Sequence, residues 1–259
     1  MSVVVAVVVL AVVCALAMAI AWWVCVISGR SGWADTFWSF TVGLAGVAAA
    51  LWPLGDLTAR NWLVAGLVAF WSLRLGLHIA GRTLRGGDDP RYAELKRGWG
   101  DRYRGQLLLF LEIQAAVALV LAMAVMAAAS NPAPLGLGDA LGVLIAVAAI
   151  VGEGVADGQL SRFARNPANK GKVCDTGLWA WSRHPNYFFE TLYWVALLPI
   201  GIGHGWGLFA IAAPVMMFVL LRYVSGVPPL EQHMLRSRGA AFADYQQRVP
   251  AFVPRPPRK

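Results

Sequence analysis

The stretch Gly177-Leu-Trp-Ala-Trp-Ser-Arg-His-Pro-Asn-Tyr-Phe-Phe-Glu190 sets Arg183, His184, Asn186 and Glu190 at the mouth of an apolar run. An imidazole trades a proton near neutral pH, and a guanidinium clamps a carboxylate or phosphate with paired hydrogen bonds. Asn186 and Glu190 lie four apart and so share one helix face. Such groups are costly in hydrocarbon unless they pair or face a cavity, which makes them candidates for binding or proton transfer. The plainer alternative is a polar helix start, because Pro185 suits a first turn.

Further polar residues interrupt the other apolar runs. Asp35 opens one of them in Gly32-Trp-Ala-Asp-Thr-Phe-Trp38, where it suits either a helix cap or a neutral acid. His78 and Arg82 lie four apart with Arg74 a turn earlier, and His78 reads as a packing residue or an acid. Glu153 and Asp157 are again four apart, while Glu112 and Gln114 lie deeper in their own run. All but these last two fall toward the same set of helix ends, so one cavity there is expected to gather them.

The elements that must position these groups are apolar and long. The chain of 259 residues is 58% hydrophobic and only 14% charged, outside the range of ordinary soluble domains. Runs able to cross about 30 Å of hydrocarbon fall near 3–27, 33–53, 61–81, 107–129, 135–156, 187–203 and 206–224. The expected fold is therefore all-α and polytopic, with about seven transmembrane helices. Stretch 3–27 precedes the first charge, Arg30, and is too long for a secretory h-region, so it is expected to stay as the first span.

Lys and Arg crowd the connections after spans one, three and five and the tail after span seven; only Arg60 falls on the opposite side and Arg74 inside a span. The positive-inside rule then places the N-terminus outside and the tail in the cytoplasm, as in a bacterial inner membrane. Topology also accounts for the net charge of +8, so a nucleic-acid partner is set aside. No linker or repeat breaks the chain, which reads as one domain over 1–259. Within it the helices fall into two stretches, 1–130 and 135–259. The tail from Gly226 alternates Leu230, Met234 and Leu235 with Glu231, Arg236 and Arg238, the pattern of an interfacial helix.

The motif search excludes several chemistries. Cys14, Cys25 and Cys174 have no metal-ligand or disulfide spacing, so no metal site is expected and the first two read as packing residues. There is no P-loop, no HExxH, no GxSxG, and no strand-borne GxGxxG. A nucleotide would have to be held by helix mouths and basic loops, where Arg and Lys suit phosphate.

On these residues the chain resembles the steroid 5α-reductase superfamily, in particular its branch of small bacterial membrane proteins. The match runs through Gly177-Leu-Trp, Ser182-Arg-His-Pro-Asn-Tyr-Phe-Phe-Glu190, Leu230-Glu-Gln-His233, Asp244-Tyr245, Pro250 and Pro254, and more loosely through Leu77-His-Ile-Ala-Gly-Arg-Thr83. It covers the chain from about Trp33 to the end. The resemblance implies a seven-helix reductase that uses NADPH to saturate the double bond of a conjugated enone, typically a 3-keto-4-ene steroid. Asn186 and Glu190 would contact the nicotinamide end, joined by Asp157, and Arg162, Arg165, Lys170 and Lys172 would hold the phosphates. Arg82, Arg91, Tyr92 and His233 complete the implied cofactor set, and Asp35, His78 and Glu190 the catalytic one. The implied partners are an apolar small molecule arriving from the bilayer and membrane lipid.

Two departures fall on the substrate side. Ile79 stands where the family has a carbonyl-binding Tyr after the His, and Asp35-Thr36 stands near the family's Gln-Glu pair. Asp35 or His78 is then expected to polarise the substrate carbonyl. S-adenosylmethionine-dependent membrane methyltransferases of the isoprenylcysteine type offer a second resemblance, sharing Arg-His-Pro-x-Tyr and a Glu-bearing tail. Those tails usually carry two adjacent Glu residues, whereas Gln232 follows Glu231 here. A non-enzymatic scaffold or transporter is the third reading.

Overall fold

The structure is a computed structural model that describes residues 2–85 and 89–256. Among the described residues the regular structure is entirely helical. Five helical stretches are long and apolar enough to cross a membrane: Val3–Ser28, Ala59–Leu84, Arg91–Ala129, Leu137–Arg165 and Gly207–Arg238. The chain divides into two compact units, one of residues 1–143 with 196–213, the other of 144–195 with 214–259. Segment 196–213 thus belongs to the first unit although it follows part of the second in sequence.

The first unit begins with α1 (Val3–Ser28), whose Ser2 hydroxyl accepts from Val5 N and whose end is closed by Gly29 at φ 68°. Ala6, Leu10, Cys14, Met18, Ala21 and Cys25 recur at helical spacing and are buried, so both cysteines are packing residues. The opposite face leaves Val4, Val8, Leu16 and Trp23 exposed, a pattern suited to lipid. α2 (Gly32–Ala50) lies against α3 (Ala59–Leu84) through small residues. A Cβ on Gly43 would collide with Ser72, and one on Gly46 would meet Val68, so the two backbones approach as small residues allow. α4 (Pro90–Trp99) is short and basic at its end, and α5 (Tyr103–Ala129) is the most deeply packed helix of the unit. α6 (Leu137–Arg165) begins in this unit and continues into the second.

The span expected at 187–203 is not one continuous helix but α7 (Pro185–Val195) followed by α8 (Leu197–Gly201), whereas the one expected at 206–224 runs without a gap through a tight helical turn over Gly207–Ile211, α9 (Ala212–Val219) and a wide turn over Leu220–Val224. Glycines shape the connection between them: Gly203 and Gly205 take φ of 88° and 21°, and a Cβ on Gly207 would strike the Gly201 carbonyl. The tail forms α10 (Val227–Arg238) and α11 (Ala240–Arg248), amphipathic as expected. α11 buries Phe242, Tyr245 and Val249.

Candidate functional site

In the second unit the sequence folds a loop, one helix start and the tail onto each other. Ser182 Oγ donates to the Phe252 carbonyl at 2.7 Å and accepts from His184 N at 3.1 Å. The next backbone links run from Arg183 N to the Pro250 carbonyl and from Arg255 N to the Trp181 carbonyl. Tyr245 OH donates to the Trp179 carbonyl. These bonds close the tail over the Arg-His-Pro turn, so the tail is a docked part of the unit.

Glu231 of α10 is the centre of that docking. Its carboxylate receives Arg183 Nε at 2.7 Å and Nη2 at 3.1 Å, His184 Nε2 at 2.9 Å, and Gln246 Nε2 at 2.7 Å. Arg183 Nη1 goes to the carbonyls of Gln246 and Val249. His184 stacks on Tyr187 with ring centres 5.4 Å apart and planes 7° off parallel. Burial pushes the His184 imidazole below its ordinary pKa, against the opposing pull of Glu231. Arg183 already balances the carboxylate, so the neutral imidazole is the form that fits.

Beside this clasp lie the residues expected at the nicotinamide. Asn186 Nδ2 donates to Asp157 Oδ1 at 3.4 Å, joining α7 to α6. Glu190, one turn further and buried, accepts from Trp194 Nε1 at 3.0 Å, which fixes the rotation of its carboxylate. Packing holds the two helices at this level: a Cβ on Gly152 would overlap the Phe189 ring. Arg162, Arg165, Lys170 and Lys172 are exposed, and none of the four forms an ion pair among the described residues. His233 stands two positions from Glu231 on α10 and therefore on a different face. The tail residue brought to the Arg-His pair is Glu231, and the motif Leu230-Glu-Gln-His233 carried it in plain view.

The first unit holds a separate polar network. Asp89 caps α4, accepting from Arg91 N at 3.0 Å, and pairs with Arg82 Nη2 at 2.6 Å and Arg91 Nε at 3.0 Å. Burial opposes its ionisation, yet the two guanidiniums hold the Asp89 carboxyl well below the usual range. Arg91 Nη2 also pairs with Asp35, and Tyr92 OH donates to Asp35 Oδ1 at 2.9 Å. The N-cap of α2 is Ser31, so Asp35 does not cap it, and the Asp35 carboxyl is taken up by Arg91 and Tyr92. Arg91 and Tyr92 are spent on acidic partners within the unit, and Arg82 retains only its half-exposed outer face. His78 is exposed on α3. Asp89, which organises the network, was not among the site residues expected from the sequence.

A cavity of about 390 Å³ opens at the other end of α2, among Ala49, Trp52, Asp56, Asn131 and His204, and no sequence-predicted site residue lines it. Compared with known proteins, the chain matches the family described as Protein of unknown function (DUF1295) over residues 21–249. No curated protein and no solved structure matches it.

Proposed function

The chain belongs to the DUF1295 family, and from that premise we propose that it is a seven-span membrane reductase. It uses NADPH to saturate the C=C bond of a conjugated enone, a 3-keto-4-ene steroid or similar terpenoid. In this reading the N-terminus lies outside, the tail is cytoplasmic, the membrane is the bacterial inner membrane, and the second unit faces NADPH. The observation that carries the reading is the meeting of Asp157 and Asn186 at 3.4 Å with Glu190 one turn away. These are the three residues that the steroid 5α-reductase resemblance assigns to the nicotinamide, and one unit gathers them.

The residues present fit the cofactor. Arg162, Arg165, Lys170 and Lys172 are exposed cations on the end of α6 and the loop after it, suited to a diphosphate and a 2′-phosphate. Because Asn186 turns Nδ2 toward Asp157, its Oδ1 is left as an acceptor beside the Glu190 carboxylate. Two acceptors one turn apart match the two N–H groups of a carboxamide. When bound, NADPH supplies the hydride. Asn186 and Glu190 orient the ring, and Asp157 acts through Asn186 as a positioning residue.

With Asp35 committed to Arg91 and Tyr92, the substrate carbonyl is left to His78, whose exposure on α3 suits a substrate that enters from the bilayer. A donor aimed at a developing enolate contributes on the order of 3–4 kcal/mol where water is excluded. A second reading, the S-adenosylmethionine-dependent methyltransferase, draws on the Arg183-His184 clasp around a tail glutamate.

Thermal unfolding of the detergent-purified chain separates the two. NADPH at a hundredfold excess over its Kd should stabilise by about 2.7 kcal/mol, and S-adenosylmethionine should not. Glu190→Ala should abolish that gain while leaving the tail docked. Normal NADPH stabilisation of this variant would sink the cofactor assignment, and stabilisation by S-adenosylmethionine alone would establish the methyltransferase.

A further inference from the structure

The first unit carries a second charged surface that the reductase reading does not use, where α4 turns into α5. α4 is pinned to α5 by ring edges: Tyr92 meets Phe110 at 6.1 Å and Trp99 meets the same ring at 6.0 Å. α5 is pinned to α1, since Trp22 Nε1 donates to the Arg104 carbonyl at 2.9 Å. Trp22 stands six positions before Ser28, the end of α1, or about 9 Å from that end at the helical rise. Its neighbours Ile20, Trp23 and Ile27 are exposed on the lipid-suited face. The corner therefore sits at the depth where aromatic side chains border the headgroups.

Three cations ring this corner without ion-pair partners among the described residues. Lys96, Arg102 and Arg104 are exposed, and none of them forms an ion pair among the described residues, whereas the adjacent Arg97 is spent on Glu94 at 3.3 Å. Lys96 Nζ lies 5.3 Å over the Tyr103 ring, and the Trp99 and Tyr103 rings are 6.1 Å apart, which makes an aromatic floor under the charges. Arg102 is the residue that precedes α5, and Leu109 and Ile113, exposed and four apart, form an apolar stripe along the helix that follows it. Asp101 is the one acid between Lys96 and Arg104, and the balance stays positive.

We infer that this corner binds the headgroup of an anionic phospholipid, its phosphate diester held between Lys96, Arg102 and Arg104 and its acyl chains running along Leu109 and Ile113. Basic side chains next to an apolar, aromatic-edged face fit a molecule that is charged at one end and apolar at the other. A free phosphate would use the cations and leave the stripe empty.

Native mass spectrometry of the detergent-purified full chain with phosphatidylglycerol and with phosphatidylcholine tests the site. Phosphatidylglycerol should be retained in preference. Removing a cation should weaken retention about fivefold, from the ~1 kcal/mol that each contributes near an anionic headgroup. Lys96→Gln/Arg102→Gln/Arg104→Gln should therefore lose on the order of a hundredfold. Arg236→Gln/Arg238→Gln, cations of the second unit, should keep the lipid. Equal retention of the two lipids, or retention unchanged in the triple variant, would overturn the site. So would displacement of the lipid by inorganic phosphate. If the triple variant melts below the unaltered chain in lipid-free detergent, the single Arg102→Gln, with its fivefold loss, decides.

Discussion

Arg60 and Arg183 are buried by the same chemistry in different units. Arg60 Nε and Nη2 each lie 2.7 Å from an Asp139 oxygen, and the remaining donors go to the carbonyls of Asn131, Ala133 and Pro134. Arg183 likewise takes Glu231 with two nitrogens and the carbonyls of Gln246 and Val249 with the third. The carboxylates differ. Asp139 also accepts the backbone N–H of Gly136, while Glu231 is shared with an imidazole and an amide. The first clamp joins a guanidinium to a carboxylate and three carbonyls, as a brace for a connection between helices should. The second contains a titratable ring, within a unit that also exposes Arg162, Arg165, Lys170 and Lys172, none of them in an ion pair among the described residues. A multiply bonded arginine thus marks structure in both units, and the second sets a titratable ring into that structure.

The contrast breaks first at Arg60. Its side chain is 3% exposed and that of Asp139 6%, against 11% and 12% for Arg183 and Glu231, so the first pair is the drier. Arg60→Ala leaves Asp139 buried and unpaired, and the expected loss is about 3–5 kcal/mol, read as a lowered thermal midpoint in detergent. A change under about 1 kcal/mol would mean that water reaches the clamp and that the comparison is false. Glu231→Gln keeps the shape but removes the charge from bonds to Arg183 and His184. About 2–3 kcal/mol should go. The loss should appear as faster hydrogen exchange in α11, with exchange in α1 unchanged.

How much of this was legible in the sequence depends on how local each signal is. The apolar runs of α1, α3, α5 and α6 announce themselves because every position contributes to the same local pattern. Hydropathy measures length and not continuity, so the interruption between α7 and α8 was missed although Pro199, in the first turn of α8, marks a helix start there. Arg60 looked like the lone exception to the charge asymmetry; its partner Asp139 lies 79 positions away, and no local pattern spans that distance. The same distance problem hid the pairing of Asp35 with Arg91, 56 positions on, which replaced a cap or an acid by an ion pair. Asn186 and Glu190 were readable because the four-residue spacing is itself local, as was Asp157 four from Glu153, but the link of Asp157 to Asn186 came only through resemblance. Glu231 lay in a noticed motif, but its role needed the tail to be folded back over Arg183.

The smallest effect concerns pH and sharpens the comparison most. Burial lowers the His184 pKa in the folded unit below the ordinary value of 6.5, so the folded chain binds this proton less readily than the unfolded chain. Stability from this group is then complete above about 6.5 and is lost as pH falls below it, with a slope of at most about 1.4 kcal/mol per pH unit for one proton. Protection of the α11 amides, after correction for the intrinsic exchange rate, should fall between about pH 7 and about pH 5.5, where free histidine takes up its proton. His184→Gln should flatten that profile, whereas protection around the Arg60 clamp should stay level over the same interval. Tightening of the tail on acidification would reverse the sign, because it would mean that Glu231 draws the proton onto His184 more strongly than burial expels it.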